Sequence, residues 1–317
     1  MFRGDYQMIN FIIFAFINLL LVILLAPLYT SLIKKIKARM QGRVGQSLFQ
    51  TYYNLFKLFK KETIYSCNSS FIMRITPYIN LICTLLAVLF VPLLFIPNNY
   101  FSFGNIILFL SILALAKFFM ALGGLDAGST FGGMGSSREM SISSIIEPII
   151  IIFFVAIAFI FNSMNFFEIF RQTSFGLNHT YLWLLFIPIV LVFIAETARI
   201  PVDNPETHLE LTMIHEAMIL EQSGKNLALF ELSSAIKQLL FIVIIINIFF
   251  PIGFNLSLSV IGLLIAFGAF LIKSILFAIG VGVAESYLAK FRLFRLPNLF
   301  VLSFFFVLIT IMLEILL

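Results

Sequence analysis

Eight apolar runs, each close to the length of a membrane crossing, dominate this chain of 317 residues. They lie near 9–33, 77–97, 104–123, 140–162, 180–197, 232–251, 256–283 and 296–317. A helix needs about 20 predominantly apolar residues to cross the hydrocarbon core. Only 11% of the residues are charged, where a soluble domain carries about 25%, so the chain cannot cover itself with a solvated surface. Alternation sustained over repeated ten-residue segments is absent, which rules out an outer-membrane barrel. The expected fold is all-α: a polytopic transmembrane bundle of about eight spans, forming a single membrane domain over 1–317 with the lipid bilayer as its main solvent. The first run, about Ile9 to Ile33, is longer than the roughly 7–15 residues of a signal-peptide core and lacks a basic lead, so it reads as the first span.

Orientation follows from the bases. Of the 20 Lys and Arg residues, nine lie between Lys34 and Arg74, after the first span. Arg138, Arg199, Lys225, Lys290, Arg292 and Arg295 fall in the later odd-numbered loops, against Arg3 and Arg171 on the other side. Lys117, Lys237 and Lys273 fall inside or at the ends of spans. The positive-inside rule then makes loops 1, 3, 5 and 7 cytoplasmic, with a multi-pass chain in the inner (cytoplasmic) membrane and both termini on the external or periplasmic side. The net charge of +5 is thus a topology signal, and a nucleic-acid partner is not expected. Cys67 and Cys83 show no CxxC spacing and no nearby His, so no iron–sulfur cluster or structural zinc is expected in this chain.

Three segments interrupt the apolar pattern. In the first, Ala38 to Glu62, Gly42 and Gly45 allow a tight turn past Arg43. Leu48, Tyr52, Leu55 and Phe59 then recur at helical spacing opposite Gln50, Asn54, Lys57 and Lys61, the pattern of an amphipathic helix lying in the cytoplasmic interface. The second, GLDAGSTFGGMGSSREM from Gly124 to Met140, contains five glycines, read as breaking the helix and allowing close backbone packing. It has no GxxxxGK[ST], so nucleotide binding is not expected. Asp126, Arg138 and Glu139 stand here at the cytoplasmic mouth of the fourth span, and Glu147 lies eight residues further in. An ionisable group at such a position is by default a functional one.

The third segment, Phe193 to Gly224, is the most acidic. Glu196 closes the fifth span, with Arg199 at i+3 placed to pair with it. Pro201 and Pro205 bracket Asp203 and forbid continuous helix. Glu206, Glu210, Glu216 and Glu221 follow, with Glu210, Met213, Ala217 and Glu221 on one helical stripe. Clustered carboxylates raise one another's proton affinity. Glu139, Glu147, Glu196, Asp203, Glu206, Glu210, Glu216 and Glu221 are therefore read as a proton pathway. Arg43, Asp126, Arg138, Arg199, His208 and His215 are read as charge-pairing or docking groups. His215-Glu216 begins like HExxH, but Ile219 stands where the second His would be, so a zinc protease is excluded. No inverted repeat relates the two halves, which argues against a stand-alone secondary transporter.

These segments, in this order, resemble the membrane-subunit family shared by respiratory complex I (its subunit 1, or H) and the group 4 NiFe hydrogenases. AETARIPVDNPET keeps that family's frame at Glu196, Arg199, Pro201, Asp203, Pro205 and Glu206, and Glu210 matches a later acid. His208 replaces one acid, and Gln222 stands where complex I has Tyr. Both long motifs look most similar to the formate hydrogenlyase and hydrogenase-4 type. The resemblance implies a non-catalytic subunit that anchors a peripheral electron-transfer arm and couples its redox chemistry to proton or sodium translocation. It implies partners as well: hydrogenase large and small subunits and an iron–sulfur subunit, which hold the NiFe centre and clusters, and antiporter-like membrane subunits. No cofactor is expected on this chain itself. A quinone-binding subunit of a complex I-like dehydrogenase and a purely structural anchor are the alternatives.

Overall fold

A computed structural model describes residues 2–96, 104–173, 180–203, 213–251, 253, 260–291 and 293–316, with the backbone alone for 2–10, 180, 181, 260 and 294. Among these residues the secondary structure is helical, apart from one isolated bridge between Asn105 and Asn165. Seven helices are long and apolar enough to cross a membrane. They are α1 (Phe2–Met40), α3 (Phe71–Phe90), α4 (Ile106–Asp126), α5 (Thr130–Ile160), α9 (Gly224–Phe249), α10 (Val260–Tyr287) and α11 (Leu296–Leu316). The short helices are α2 (Gln50–Lys60), α6 (Phe166–Thr173), α7 (Phe186–Glu196) and α8 (His215–Ile219).

The fifth expected span is the one that differs in kind. Its apolar run is a 3-10 stretch, Thr180–Leu185, followed by the 11 residues of α7. At 1.5 Å per residue α7 is only about 16 Å long. A Schellman motif ends it: the Arg199 amide donates to the Ile194 carbonyl (2.9 Å) and the Ala198 amide to the Ala195 carbonyl (3.2 Å), with Ala198 left-handed at φ 50°. Glu196 is therefore the last helical residue, and it meets the middle turns of α4, α5 and α9 instead of a membrane surface.

Other boundaries moved for local reasons. α3 starts six residues before the expected Pro77 because Ser70 caps it, accepting from the Ile72 amide, and Asp126 at the end of α4 accepts from the amides of Ser70 and Met73, 2.9 Å each. It stops at Phe90 because Val91 precedes Pro92 and takes an extended conformation (φ −118°, ψ 108°). The glycine-rich stretch from 124 to 140 breaks the helix only briefly, at residues 127–129, where Gly128 is left-handed at φ 66°. Gly132, Gly133 and Gly135 are helical. The expected close packing is present there: a Cβ built on Gly135 would lie 2.8 Å from the Ala217 Cβ.

α9 is the central post of the bundle. From Leu239 to Phe249 every one of its residues is buried, with α1, α3 and α7 packed around it. α2 lies across α1 and α9 with Leu55 buried, the Tyr52 hydroxyl donating to the Leu24 carbonyl, and Phe49, Tyr53 and Phe56 more than half exposed. This is the interfacial helix read from the sequence, entered through left-handed Gly42 and Gly45.

Candidate functional site: an intramembrane charge centre

The end of α7 brings together two carboxylates and two lysines. The Lys117 ammonium, from the middle of α4, lies 2.6 Å from Glu196 Oε1, and Lys237, from the middle of α9, lies 2.5 Å from Glu196 Oε2. Lys117 also stands 3.6 Å from Glu147 Oε1 on α5. A lone ion in hydrocarbon costs several kcal/mol even after relaxation, so the buried Lys117 and Glu196 are stable here only because their partners are present. Glu196 needs two cations for a further reason. The C-terminus of α7 carries about half a negative charge at the same point.

Burial is unequal across the centre. The side chains of Glu196 and Lys117 are 4% and 8% exposed, whereas that of Glu147 is 43% exposed. Glu147 opens into a groove of about 440 Å³ between α4 and α5, walled by Ile107, Leu110, Ile151, Phe154 and Val155. On the other side of Lys117 and Glu196 lies a cavity of about 40 Å³, into which Asn80, Thr84, Glu139, Ser233, Lys237 and His215 bring polar groups among apolar walls such as Leu113 and Phe230. That is large enough to hold water. A smaller recess, about 10 Å³, carries Glu139 and Glu196 on to Asp203. Glu139, Glu147, Glu196 and Asp203 thus line three neighbouring spaces that meet at Lys117 and Glu196.

A second network sits beside the first, and Arg199 belongs to it. Glu196 and Arg199 do not pair as their spacing suggested, because the Schellman turn carries Arg199 out of the helix. Its guanidinium instead donates to Glu285 on α10 (2.6 Å) and to the Gln238 side chain on α9 (2.7 Å). Lys37 on α1 approaches the other Glu285 oxygen at 3.9 Å. Lys237 and Gln238 are neighbours in sequence, so α9 joins the two networks directly.

Asp203 is buried and organises the backbone around it. It pairs with Lys290 at 2.7 Å and accepts from the amides of Ile214 and His215 at 3.1 Å each. His215 begins α8 against Lys237. Burial, and then that ammonium, push its imidazole down to about 4 from an ordinary 6.5, against the pull of Asp203 and Glu196. The half-buried Arg138 side chain donates to the Met213 carbonyl at 3.0 Å, tying this segment to α5. Asp126 caps α3, as described. Among the candidate docking residues, Arg43 is exposed.

The remaining candidates fall away from the centre. Glu216 is half-buried on α8, and Glu221 is exposed beyond the end of that short helix, so it does not share one helical stripe with the buried Met213 and Ala217 as expected. Glu206, His208 and Glu210 lie outside the described residues. Sequence reading missed the roles of Lys37, Gln238 and Glu285, and noted Lys117 and Lys237 only as bases within spans. A lysine near the middle of an apolar helix was itself the available signal. No cluster of three or more His, Cys, Asp or Glu side chains able to hold a metal is found among the described residues.

The fold and these buried pairs define a multi-pass helical membrane protein with a charge centre in the middle of its bundle. Its sequence matches the family described as NADH dehydrogenase over residues 12–316, and the chain belongs to that family, of the subunit 1 type. It is 30% identical over 300 residues to hydrogenase-4 component C of Escherichia coli K12, covering 92% of each chain. It is 26% identical over 297 residues to formate hydrogenlyase subunit 4 of the same strain, covering 91% of this chain and 94% of that one. NADH-ubiquinone oxidoreductase chain 1 of Trichophyton rubrum is 28% identical over 264 residues, or 78% of this chain and 74% of that one. The fold is also that of a chain in the membrane-bound sulfane sulfur reductase, an archaeal respiratory membrane complex, with a TM-score of 0.80, 18% identity, and coverage of 95% of this chain and 99% of that one.

Proposed function

We propose that this chain is the membrane subunit of a hydrogenase-4 or formate hydrogenlyase type complex, coupling redox chemistry in a peripheral arm to translocation of protons or sodium ions. The observation that carries the reading is the run Glu147–Lys117–Glu196–Lys237 at mid-bundle, with Lys117 and Glu196 buried at its centre. A structural anchor has no need of four ionisable side chains where the buried ones are unstable alone. Likeness to hydrogenase-4 component C and formate hydrogenlyase subunit 4 over nine-tenths of the chain supports it.

In this reading the subunit lies in the inner membrane with both termini outside. The cytoplasmic face, with exposed Arg43, receives hydrogenase large and small subunits and an iron–sulfur subunit, which hold the NiFe centre and clusters. Antiporter-like subunits adjoin within the membrane. The ion route runs from Asp203 past Glu139 to Glu196 and Glu147, through spaces large enough for water near Glu139.

The test is ion uptake by the reconstituted complex, measured beside redox turnover, for Glu196→Gln. The amide keeps the shape but does not titrate, so uptake should fall roughly 100-fold, the usual weight of one proton-transfer group. Turnover persists if coupling is loose and falls in parallel if it is tight. Full turnover with full ion movement would make the carboxyls structural and the subunit an anchor.

A further inference from the structure

The lysine between the two carboxylates has a geometry that neither a static ion pair nor a packing role requires. Lys117 is bonded to Glu196 at 2.6 Å yet is only 3.6 Å from Glu147. A charge-assisted bond is about 2.8 Å long, so a shift of about 1 Å in a flexible side chain transfers the ammonium from one partner to the other. Glu196 does not lose its last cation when that happens, because Lys237 stays on its second oxygen at 2.5 Å.

The groups facing Lys117 come from every neighbouring helix: Glu139 and Glu147 from α5, Glu196 from α7, His215 from α8 and Lys237 from α9, with Asn80 and Thr84 from α3 as neutral lining. The two sides of the lysine differ in access. Glu196, 4% exposed, lines both the α4–α5 groove and the small cavity shared with Glu139 and His215, whereas Glu147, 43% exposed, lines the groove and not that cavity.

We propose that Lys117 is a relay residue that passes a proton from Glu196 to Glu147, the half-exposed carboxylate on the α4–α5 groove. The inference rests on the functional reading above and names the residue through which that route must pass. A proton that reaches Glu196 neutralises it and releases the Lys117 ammonium, which moves onto the Glu147 carboxylate. One Nζ proton passes to Glu147, and the proton on Glu196 refills the amine. Lys117 ends as it began, with three protons; Glu196 is ionised again and Glu147 is neutral. One proton has crossed from the enclosed side to the groove, and no other reactant is consumed.

Arginine separates relay from charge. A guanidinium keeps the positive charge but does not give up a proton in proteins, so Lys117→Arg should assemble and hold Glu196 while uptake falls roughly 100-fold, as it should in Lys117→Met. The spectroscopic readout is the infrared carboxylic C=O band that develops during turnover and vanishes in Glu147→Gln. It should be missing in Lys117→Arg. Wild-type uptake in Lys117→Arg, or a Glu147 band that still develops there, overturns the relay. Should neither lysine variant assemble, Glu147→Gln decides, since unimpaired uptake without that acceptor also overturns it. Unimpaired uptake in Glu196→Gln, by contrast, removes the functional reading itself.

Discussion

Arg199 and Glu285 form a 2.6 Å ion pair that ties the turn after α7 to the last turns of α10, with both side chains at most 10% exposed. Removing one member of such a pair leaves its partner charged and buried. Glu285→Ala should therefore destabilise the subunit by about 3–5 kcal/mol, with Lys37 losing its contact as well. The check is thermal unfolding of the purified complex. A melting temperature equal to that of the unmodified protein in Glu285→Ala would mean that water already reaches the Arg199 guanidinium.

His215 gives the site a pH dependence whose sign follows from its depressed pKa. In the fold the imidazole stays neutral down to about 4, whereas in the unfolded chain it takes up a proton near 6.5. Between those values the unfolded state binds a proton that the fold excludes, so stability is full above about 6.5 and declines as the pH falls towards 4. At 1.36 kcal/mol per unit the loss reaches about 3 kcal/mol. Replacing His215 by Asn should flatten this part of the curve, measured as melting temperature from pH 7 to pH 4. An unchanged slope would assign the decline to the carboxylates.

Cys67 and Cys83 report topology without any introduced probe. Cys67 is exposed in the connection between α2 and α3, and Cys83 is buried in α3. With loop 1 cytoplasmic, an impermeant maleimide should modify Cys67 in inverted vesicles stripped of peripheral subunits, and leave it untouched in intact cells. Cys83 should react only after denaturation. Labelling of Cys67 from outside intact cells would reverse the orientation derived from the positive-inside rule.

How much of this was legible in the sequence depends on whether a signal is local. The spans follow from apolar length, and Glu147 and Glu196 stood out because carboxyls are rare in such runs. The truncation of α7 was not legible. Ala198 carries no bias towards the left-handed region, and only the hydrogen bonds to Ile194 and Ala195 reveal the turn. That turn also undid the expected Glu196–Arg199 pair, since i+3 spacing brings side chains together only while the helix continues. The glycine-rich stretch misled for the opposite reason. Gly132 and Gly135 serve contacts with α4 and α8, and no property of the local sequence distinguishes that use from a loop. Glu285 was invisible because its partners lie 86 residues away at Arg199 and in α1 at Lys37.

Two adjacent glycines test the packing that sets the distance from Lys117 to Glu147. A Cβ on Gly132 would lie 2.3 Å from the carbonyl oxygen of Gly124, a backbone atom that cannot rotate aside. Gly132→Ala must then push α4 and α5 apart beside the turn that joins them, at a cost of about 1–3 kcal/mol for an overpacked contact. Gly133, one residue on in the same helix, has nothing within 4 Å of its would-be Cβ. Gly133→Ala should stabilise by about 0.5–1 kcal/mol, because alanine loses less backbone freedom on entering a helix. The measurement is the melting temperature of each variant in the assembled complex, where the two shifts should have opposite signs. Because Lys117 and Glu147 sit on the two helices that Gly132 holds together, Gly132→Ala should also slow ion uptake, and Gly133→Ala should leave it unchanged. Equal melting temperatures for the two variants would show that α4 and α5 do not cross as closely as the Gly124–Gly132 contact requires.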